Sequence, residues 1–426
     1  MKIKTDILVI GAGAAGLMTA KELSKTGKKV TILEARDRIG GRIYPLFKET
    51  FGYPAQGGAE FVHGPAPITK TVLKEAGLTY VPINKIDYLY AHKGKLVKIP
   101  ELWSYENLLN KRLKNLKKDM PIAEFLNKYF KEKKYETLKK LIIGTTENYD
   151  AADPKKISTF VLRDEWLGRH VWKLGIIKEG YGSLIKFLEL ECKNNRVQIL
   201  FNKKVESIKI IGNDAEIKCA DKTLYEAQKT IITVSLPIIS SLKFSPAIPC
   251  KLKEISKIGF GGVIKILLQF QDSWWMKIIK KEQNTHIFIS SEEKVPIWWT
   301  QPFQSFPVIT GWIGGPNAKK LKNKSPEKIL DLALLSLSNI FKIDVNILKE
   351  KFINSKVINW PADPFAQGAY SYESMGAKKA SAELRKPINN IIFFAGEAFC
   401  SGEETATVEG AFASAVETAN RILNPK

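Results

Sequence analysis

Glycines 11, 13 and 16 form a Gly-x-Gly-x-x-Gly run directly behind the apolar stretch Asp6–Ile10. The first glycine permits a tight turn, the second lets backbone approach a pyrophosphate, and the third lets the next helix lie close against the strand. Ala14 and Ala15 open that helix, whose N-terminal dipole favours phosphate charge. Glu34 follows the apolar stretch Val30–Leu33, at the spacing of about 20 residues that brings an acid to a ribose diol. Together these residues predict a dinucleotide site. They do not distinguish one dinucleotide from another.

A second candidate is a lysine. Gly259–Phe270 reads GFGGVIKILLQF, and strand alternation sets Lys265 on one face with Val263 and Leu267. An ammonium turned inward is costly unless paired or hydrogen-bonded. The alternative is a lysine snorkelling at the surface of a lysine-rich chain. His63, His92, His170 and His286 are dispersed, and Cys192, Cys219, Cys250 and Cys400 form no C-x-x-C pair. No metal site or disulfide framework is expected, a pattern that suits a reducing compartment and a cytoplasmic protein.

The segment after Glu34 separates the dinucleotides. Glu34-Ala35-Arg36-Asp37-Arg38-Ile39-Gly40-Gly41-Arg42 resembles the E-A-x-x-x-x-G-G-R stretch of FAD enzymes of the amine oxidase class, the monoamine and polyamine oxidase superfamily. There Gly40, Gly41 and Arg42 would bring N–H groups and a guanidinium to the cofactor phosphates. Gly58-Ala59-Glu60-Phe61-Val62-His63-Gly64 resembles the G-A-x-W-x-H-G motif of polyamine oxidases, where backbone passes the isoalloxazine ring; Gln56 and Phe61 replace the usual acid and Trp. Val205 fits the valine that contacts adenine, and Thr230–Pro237, with Thr233, resembles the buried strand that follows. Phe393–Ala398 matches F-A-G-E-A, whose Glu, here Glu397 after Gly396, meets the ribityl chain. Thr405–Ala411, with Thr407 and Val408, opens the last helix beneath the cofactor. The likeness spans essentially the whole chain.

The resemblance implies FAD as cofactor and a role for Lys265 in holding a water against flavin N5. Trp360–Tyr372 is similar to the segment of monoamine oxidases that carries their cofactor-linking cysteine; Ala369 stands at that position, so the FAD is expected to be noncovalent. Tyr370 matches one wall of the family's aromatic cage, and Thr407 stands for the other, as in the polyamine oxidase and histone demethylase branches. An aromatic face favours an amine through its quadrupole or its apolar surface. His63 matches a polyamine-oxidase histidine, with a structural role beside a glycine turn as the alternative. The implied reaction is oxidation of a primary or secondary amine (a polyamine or monoamine) by hydride transfer to flavin N5. An imine and then an aldehyde result, with hydrogen peroxide formed as oxygen restores the flavin. An L-amino-acid oxidase would need a cation for the substrate carboxylate, and Tyr44 stands where relatives often carry an Arg. A desaturase or porphyrinogen-type oxidase is opposed by Lys265 and Tyr370, and a non-catalytic FAD-fold binding protein by retention of every cofactor segment.

Positioning these residues calls for an α/β fold. A Rossmann-like FAD-binding domain of the glutathione-reductase type is expected from residues 1–81, 176–255 and 385–426. It is interleaved with an α+β substrate-binding domain, residues 82–175 and 256–384, containing a mixed sheet and a helical region. Strands Asp6–Ile10, Val30–Leu33, Val197–Leu200, Val205–Ile210, Glu216–Cys219, Thr230–Val234 and Ile391–Ala395 belong to the first; Val263–Phe270, Thr285–Ser290, Trp298-Trp299 and Pro307–Ile313 to the second. Helices are expected over Leu17–Lys25, Ile68–Ala76, Tyr105–Trp172, Ser183–Cys192, Pro326–Phe341 and Thr405–Leu423. Ile7–Ala20 reads as part of this fold rather than an export signal, because Asp6 interrupts the pattern and cleavage near Ala20 would destroy the glycine loop.

A chain of 426 residues accommodates two domains. No apolar run reaches the ~18–20 residues of a membrane span. The net charge of +22 is spread along the sequence, without an Arg-rich arm or a nucleic-acid motif, so no nucleic-acid partner is expected. The expected partners are a small-molecule amine and molecular oxygen as acceptor; the oligomeric state is left open.

Overall fold

In the computed structural model, which describes residues 2–92, 94–99, 105–168, 173–280, 285–301, 306–401 and 404–424, the chain opens as a βαβ unit. Strands Lys2–Ile10 and Val30–Leu33 pair in parallel, with the helix Ala14–Ser24 between them. That helix begins at Ala14, not Leu17, because the glycine loop delivers the chain straight into its first turn.

The large sheet runs in the order 243–245, 205–211, 214–219, 224–232, 2–10, 30–33 and 198–200, with 392–394 beside 224–232. Its parallel centre is in register: Ile10 lies beside Leu33 and Ile232, and Ile232 beside Phe394. The four strands therefore end level, and Gly11, Glu34, Thr233 and Ala395 leave from one edge. Ligands of open α/β sheets bind at this carboxyl edge. Apolar side chains of the helices Ala14–Ser24, Tyr181–Asn194 and Val408–Leu423, such as Leu17, Leu184 and Phe412, cover one face of the sheet.

A second, mixed sheet runs 352–359, 263–270, 308–314, 297–300, 286–290, 86–92 and 95–98. Val263–Phe270 lies inside it, antiparallel to a neighbour on each side. Alternation holds along this strand. Ile264, Ile266 and Leu268 pack with Trp298 and Ile309, while Val263 and Leu267 pack with Phe51, Val308 and Trp360. Lys265 shares the second face and is 1% exposed, which removes the snorkelling alternative.

The helical region expected over Tyr105–Trp172 is built of four helices, Glu106–Lys114, Ile122–Tyr129, Glu136–Asn148 and Thr159–Gly168, around a local core of Leu109, Leu113, Phe125 and Leu138. Pro121 precedes the second helix, where a missing N–H does no harm; Trp172 lies outside the described residues. The strands Ile86–His92, Lys95–Lys98 and Phe352–Asn359 were not expected. The last reads FINSKVIN and lies at a sheet edge, where polar side chains blur the apolar alternation. The final helix starts at Val408 rather than Thr405, with Thr407 as its cap: Gly410 N–H donates to Thr407 Oγ1 at 3.0 Å. No helix among the described residues is long and apolar enough to cross a membrane.

Candidate active site

Residues of both sheets line one continuous cavity of about 1940 Å³. Every cofactor residue named from the sequence borders it except Gly16. Gly16 has the packing role foreseen for it: an added Cβ would lie 1.9 Å from the carbonyl oxygen of Gly11. Gly13 differs. The nearest atom to an added Cβ there is Gly40 O at 3.9 Å, so the space above the helix N-terminus is left open toward the cavity. A Cβ on Gly58 would meet Arg42 O at 1.8 Å, which fixes glycine where the chain doubles back along the cavity wall. Gly16→Val is therefore expected to yield protein that retains no FAD, read from the ratio of visible to ultraviolet absorbance after purification.

The polar groups fit a dinucleotide. Glu34 is buried, with one oxygen accepting from Ala12 N at 2.7 Å and the other from Arg36 N at 2.9 Å, and each keeps a lone pair for a diol. Arg42 donates to Ala369 O at 2.7 Å and to Glu397 Oε1 at 2.8 Å, while Ser371 Oγ donates to Glu397 Oε2 at 2.5 Å. Arg36 makes a bidentate pair with Asp363, at 3.0 and 2.6 Å, and lies over the Phe365 ring. Its guanidinium is thus held against the 360s segment. Thr233 Oγ1 donates to Ile10 O at 2.8 Å, and Trp360 Nε1 to Gly57 O at 3.2 Å, fixing two further stretches of wall. Gly40, Gly41, Ala59, Val205, Gly396 and Val408 complete the lining named in advance.

At the other end the cavity is aromatic. Phe61 packs against Trp299 with ring centroids 5.9 Å apart, Trp299 against Trp312 at 5.6 Å, and His63 against Tyr149 at 6.1 Å. Tyr370 donates its O–H to Tyr149 O at 2.7 Å, and its strand pairs Tyr370 with Gly261. Burial raises the phenols of Tyr370 and Tyr149 above their usual range, so both are neutral. Tyr149 is 36% exposed and borders the cavity, yet the protein around it still denies the charged form its solvation. Burial also lowers His63 to about 4, leaving it uncharged at neutral pH. Thr407 borders the cavity, but its hydroxyl is committed: it donates to Glu404 O at 2.6 Å while capping the helix.

Lys265 Nζ donates to Glu60 Oε2 at 2.5 Å and to Gly58 O at 3.3 Å, and Trp299 Nε1 donates to the other Glu60 oxygen at 3.3 Å. Burial lowers the lysine's pKa, and the charge and hydrogen bond of Glu60 oppose that fall.

The description of flavin containing amine oxidoreductases matches residues 14–423. The chain belongs to that family. This flavin amine oxidoreductase is 26% identical to lysine-specific histone demethylase 1 homolog 3 of Arabidopsis thaliana, over 98% of this chain and 30% of that protein. It is 26% identical to polyamine oxidase 4 of Oryza sativa subsp. japonica, over 99% of this chain and 90% of that one. The chain spans about half the length of another relative, lysine-specific histone demethylase 2 of Homo sapiens. Its fold is that of putrescine oxidase, solved with putrescine bound: TM-score 0.80 over 99% of this chain and 100% of that one, at 17% identity. The oxidoreductase is thus an FAD-dependent α/β protein in which a Rossmann-like sheet and a mixed substrate-side sheet are interleaved.

Beyond the residues read from its sequence, this flavin amine oxidoreductase has Asp150 and Glu165 in the cavity wall near Tyr370 and Tyr149. Burial lifts Glu165 to about 7. Burial also lifts Asp150, and repulsion from Glu165 adds to it. Asp150 Oδ2 is buried and has no hydrogen-bond partner among the described residues. Neither acid stands in a motif, and both lie in the region expected to be helical, so only the folded chain reveals them.

Proposed function

We propose that this oxidoreductase acts on amines that carry a second cationic nitrogen, a diamine or polyamine, and that Asp150 and Glu165 receive that nitrogen. The supporting observation is the acid pair itself. Two half-buried carboxyls that repel each other, one with a buried oxygen lacking a partner among the described residues, are destabilising unless a cation joins them. Acidic side chains outnumber basic ones along the described cavity lining, although the chain as a whole carries +22. Neutral His63 and paired Lys265 set no free positive charge against such a substrate. An α-amino acid finds no unpaired guanidinium for its carboxylate among the described lining residues. The guanidinium groups among the described lining residues are Arg36 and Arg42, paired with Asp363 and Glu397.

In this reading the oxidised end of the amine lies against Tyr370, and the phenol of Tyr149 with the indoles of Trp299 and Trp312 excludes water. Bound FAD supplies the two-electron acceptor: amine, water and oxygen become aldehyde, released amine or ammonia, and hydrogen peroxide. The chain's own groups bind and orient the substrate. Ala369 offers no nucleophile for a covalent link, so the FAD is noncovalent. Residues 1–81, 176–255 and 385–426 form the cofactor unit, and 82–175 and 256–384 the substrate unit. The four cysteines form no disulfide, which fits a reducing compartment.

Lys265→Met is expected to slow flavin reduction or reoxidation roughly 100-fold, the scale of losing one preorganised polar group, with FAD still bound; stopped-flow traces of both half-reactions check it. The reading as a whole is tested by adding putrescine, spermidine, spermine, aromatic monoamines and L-amino acids anaerobically and following the flavin band. Bleaching by the polyamines, followed by peroxide on admitting oxygen, is expected. Bleaching by amino acids alone would replace the reading, and no bleaching at all would end it.

A further inference from the structure

We propose that Glu60 is a positioning residue for Lys265, fixing its ammonium and holding its charge in the wall beside the flavin. The inference needs only bound FAD and stands apart from the diamine reading.

Glu60 stands at a position that the G-A-x-W-x-H-G motif leaves unspecified. Its geometry is that of a built pair. One Glu60 oxygen accepts from Lys265 Nζ at 2.5 Å, and the other accepts from Trp299 Nε1 at 3.3 Å, so the carboxylate is held at both ends. Gly58 O accepts a further ammonium proton at 3.3 Å, and the Trp299 ring lies 5.4 Å from Nζ. These contacts leave the lysine one orientation. The side chains are 1% and 11% exposed, so neither charge is screened by bulk water.

Other groups bear on the pair. Tyr53 feels the Glu60 charge, and its buried hydroxyl has no hydrogen-bond partner among the described residues. The strand neighbours of Lys265, Trp312 and Ile358, are uncharged. Burial alone drives the ammonium toward its neutral form, and Glu60 opposes this by charge and by hydrogen bond. Without Glu60 the lysine would shed its proton at a lower pH and lose its fixed direction.

The test records the flavin absorption spectrum of the holoenzyme, without substrate, from pH 6 to pH 10. Glu60→Gln is expected to move the lysine's inflection down by about one to three pH units relative to wild type, the range over which a neighbouring charge acts. Glu60→Asp restores most of the shift, and the Glu60→Gln, Lys265→Met double variant shows no inflection. If Glu60→Gln titrates as wild type does, or if the inflection survives in the double variant, the proposal is overturned. It is overturned equally if no variant shows an inflection. Should Glu60→Gln fail to fold or to hold FAD, Glu60→Asp carries the test: a smaller downward shift supports the pairing and none contradicts it. No amine is used, so these results are independent of which substrate the enzyme takes.

Discussion

Changing Asp150 to Asn and Glu165 to Gln together is expected to raise KM for a diamine about 100-fold while leaving a monoamine of equal length within roughly threefold. A hydrogen bond to a charged partner contributes ~1.5–3 kcal/mol, and ~1.4 kcal/mol is a tenfold change in affinity. Losing both carboxylates from one substrate ammonium therefore costs about 3 kcal/mol even if their contributions overlap. The monoamine has nothing to place there and reports whether the reacting end is intact. The same substitution removes two mutually repelling carboxyls from a half-buried wall, so the free protein should be more stable than wild type. Weaker diamine binding together with a higher melting temperature is the signature of a site built for a cation that arrives with the substrate. Equal losses for diamine and monoamine would mean that the acids only support the fold.

The second large effect is on pH dependence. The Glu165 carboxyl, ordinarily near 4.5, is lifted to about 7 by burial. A group whose folded-state pKa is raised contributes its stability below the unfolded value, and that contribution is lost as pH rises through the folded value. For Glu165 the loss spans pH 4.5 to about 7 and is on the order of 3 kcal/mol. The melting temperature of the free enzyme should fall by a few degrees across this window, and Glu165→Gln should remove most of the fall. Substrate binding has the opposite sign. Ionised Glu165 is the form that meets an ammonium, so diamine affinity rises as pH passes from 6 to 8, beyond any change seen with a monoamine. Melting curves and KM profiles of wild type and Glu165→Gln would contradict this if their pH slopes were the same.

The cofactor half was legible because a phosphate cradle is made from contiguous backbone. Gly11, Gly13 and Gly16 must follow a strand, and the in-register ends at Ile10, Leu33 and Ile232 place Gly11, Glu34 and Thr233 on one edge. Lys265 was legible too, because period-two alternation assigns a face whatever the residue on it. Its partner was not: Glu60 is 205 residues away, and no local pattern links them. The substrate half depends on such distant encounters. Asp150 follows one helix and Glu165 lies within another, and in sequence an acid on a helix reads the same whether it faces water or a closed cavity. The second aromatic wall illustrates the point. Thr407 was named for it by resemblance; it borders the cavity with its hydroxyl committed to a helix cap, while the Tyr370 hydroxyl is fixed by the backbone carbonyl of Tyr149.

The most direct test of the account is the ratio of kcat/KM for 1,4-diaminobutane to that for 1-aminobutane, measured with the wild-type enzyme at pH 8. The two molecules share the carbon chain and the reacting amine, and differ only in the nitrogen that Asp150 and Glu165 would receive. A ratio of about 100 or more is predicted, corresponding to about 3 kcal/mol from the second ammonium. A ratio near one, or a preference for the monoamine, would show that the acid pair does not read the substrate and would contradict the account.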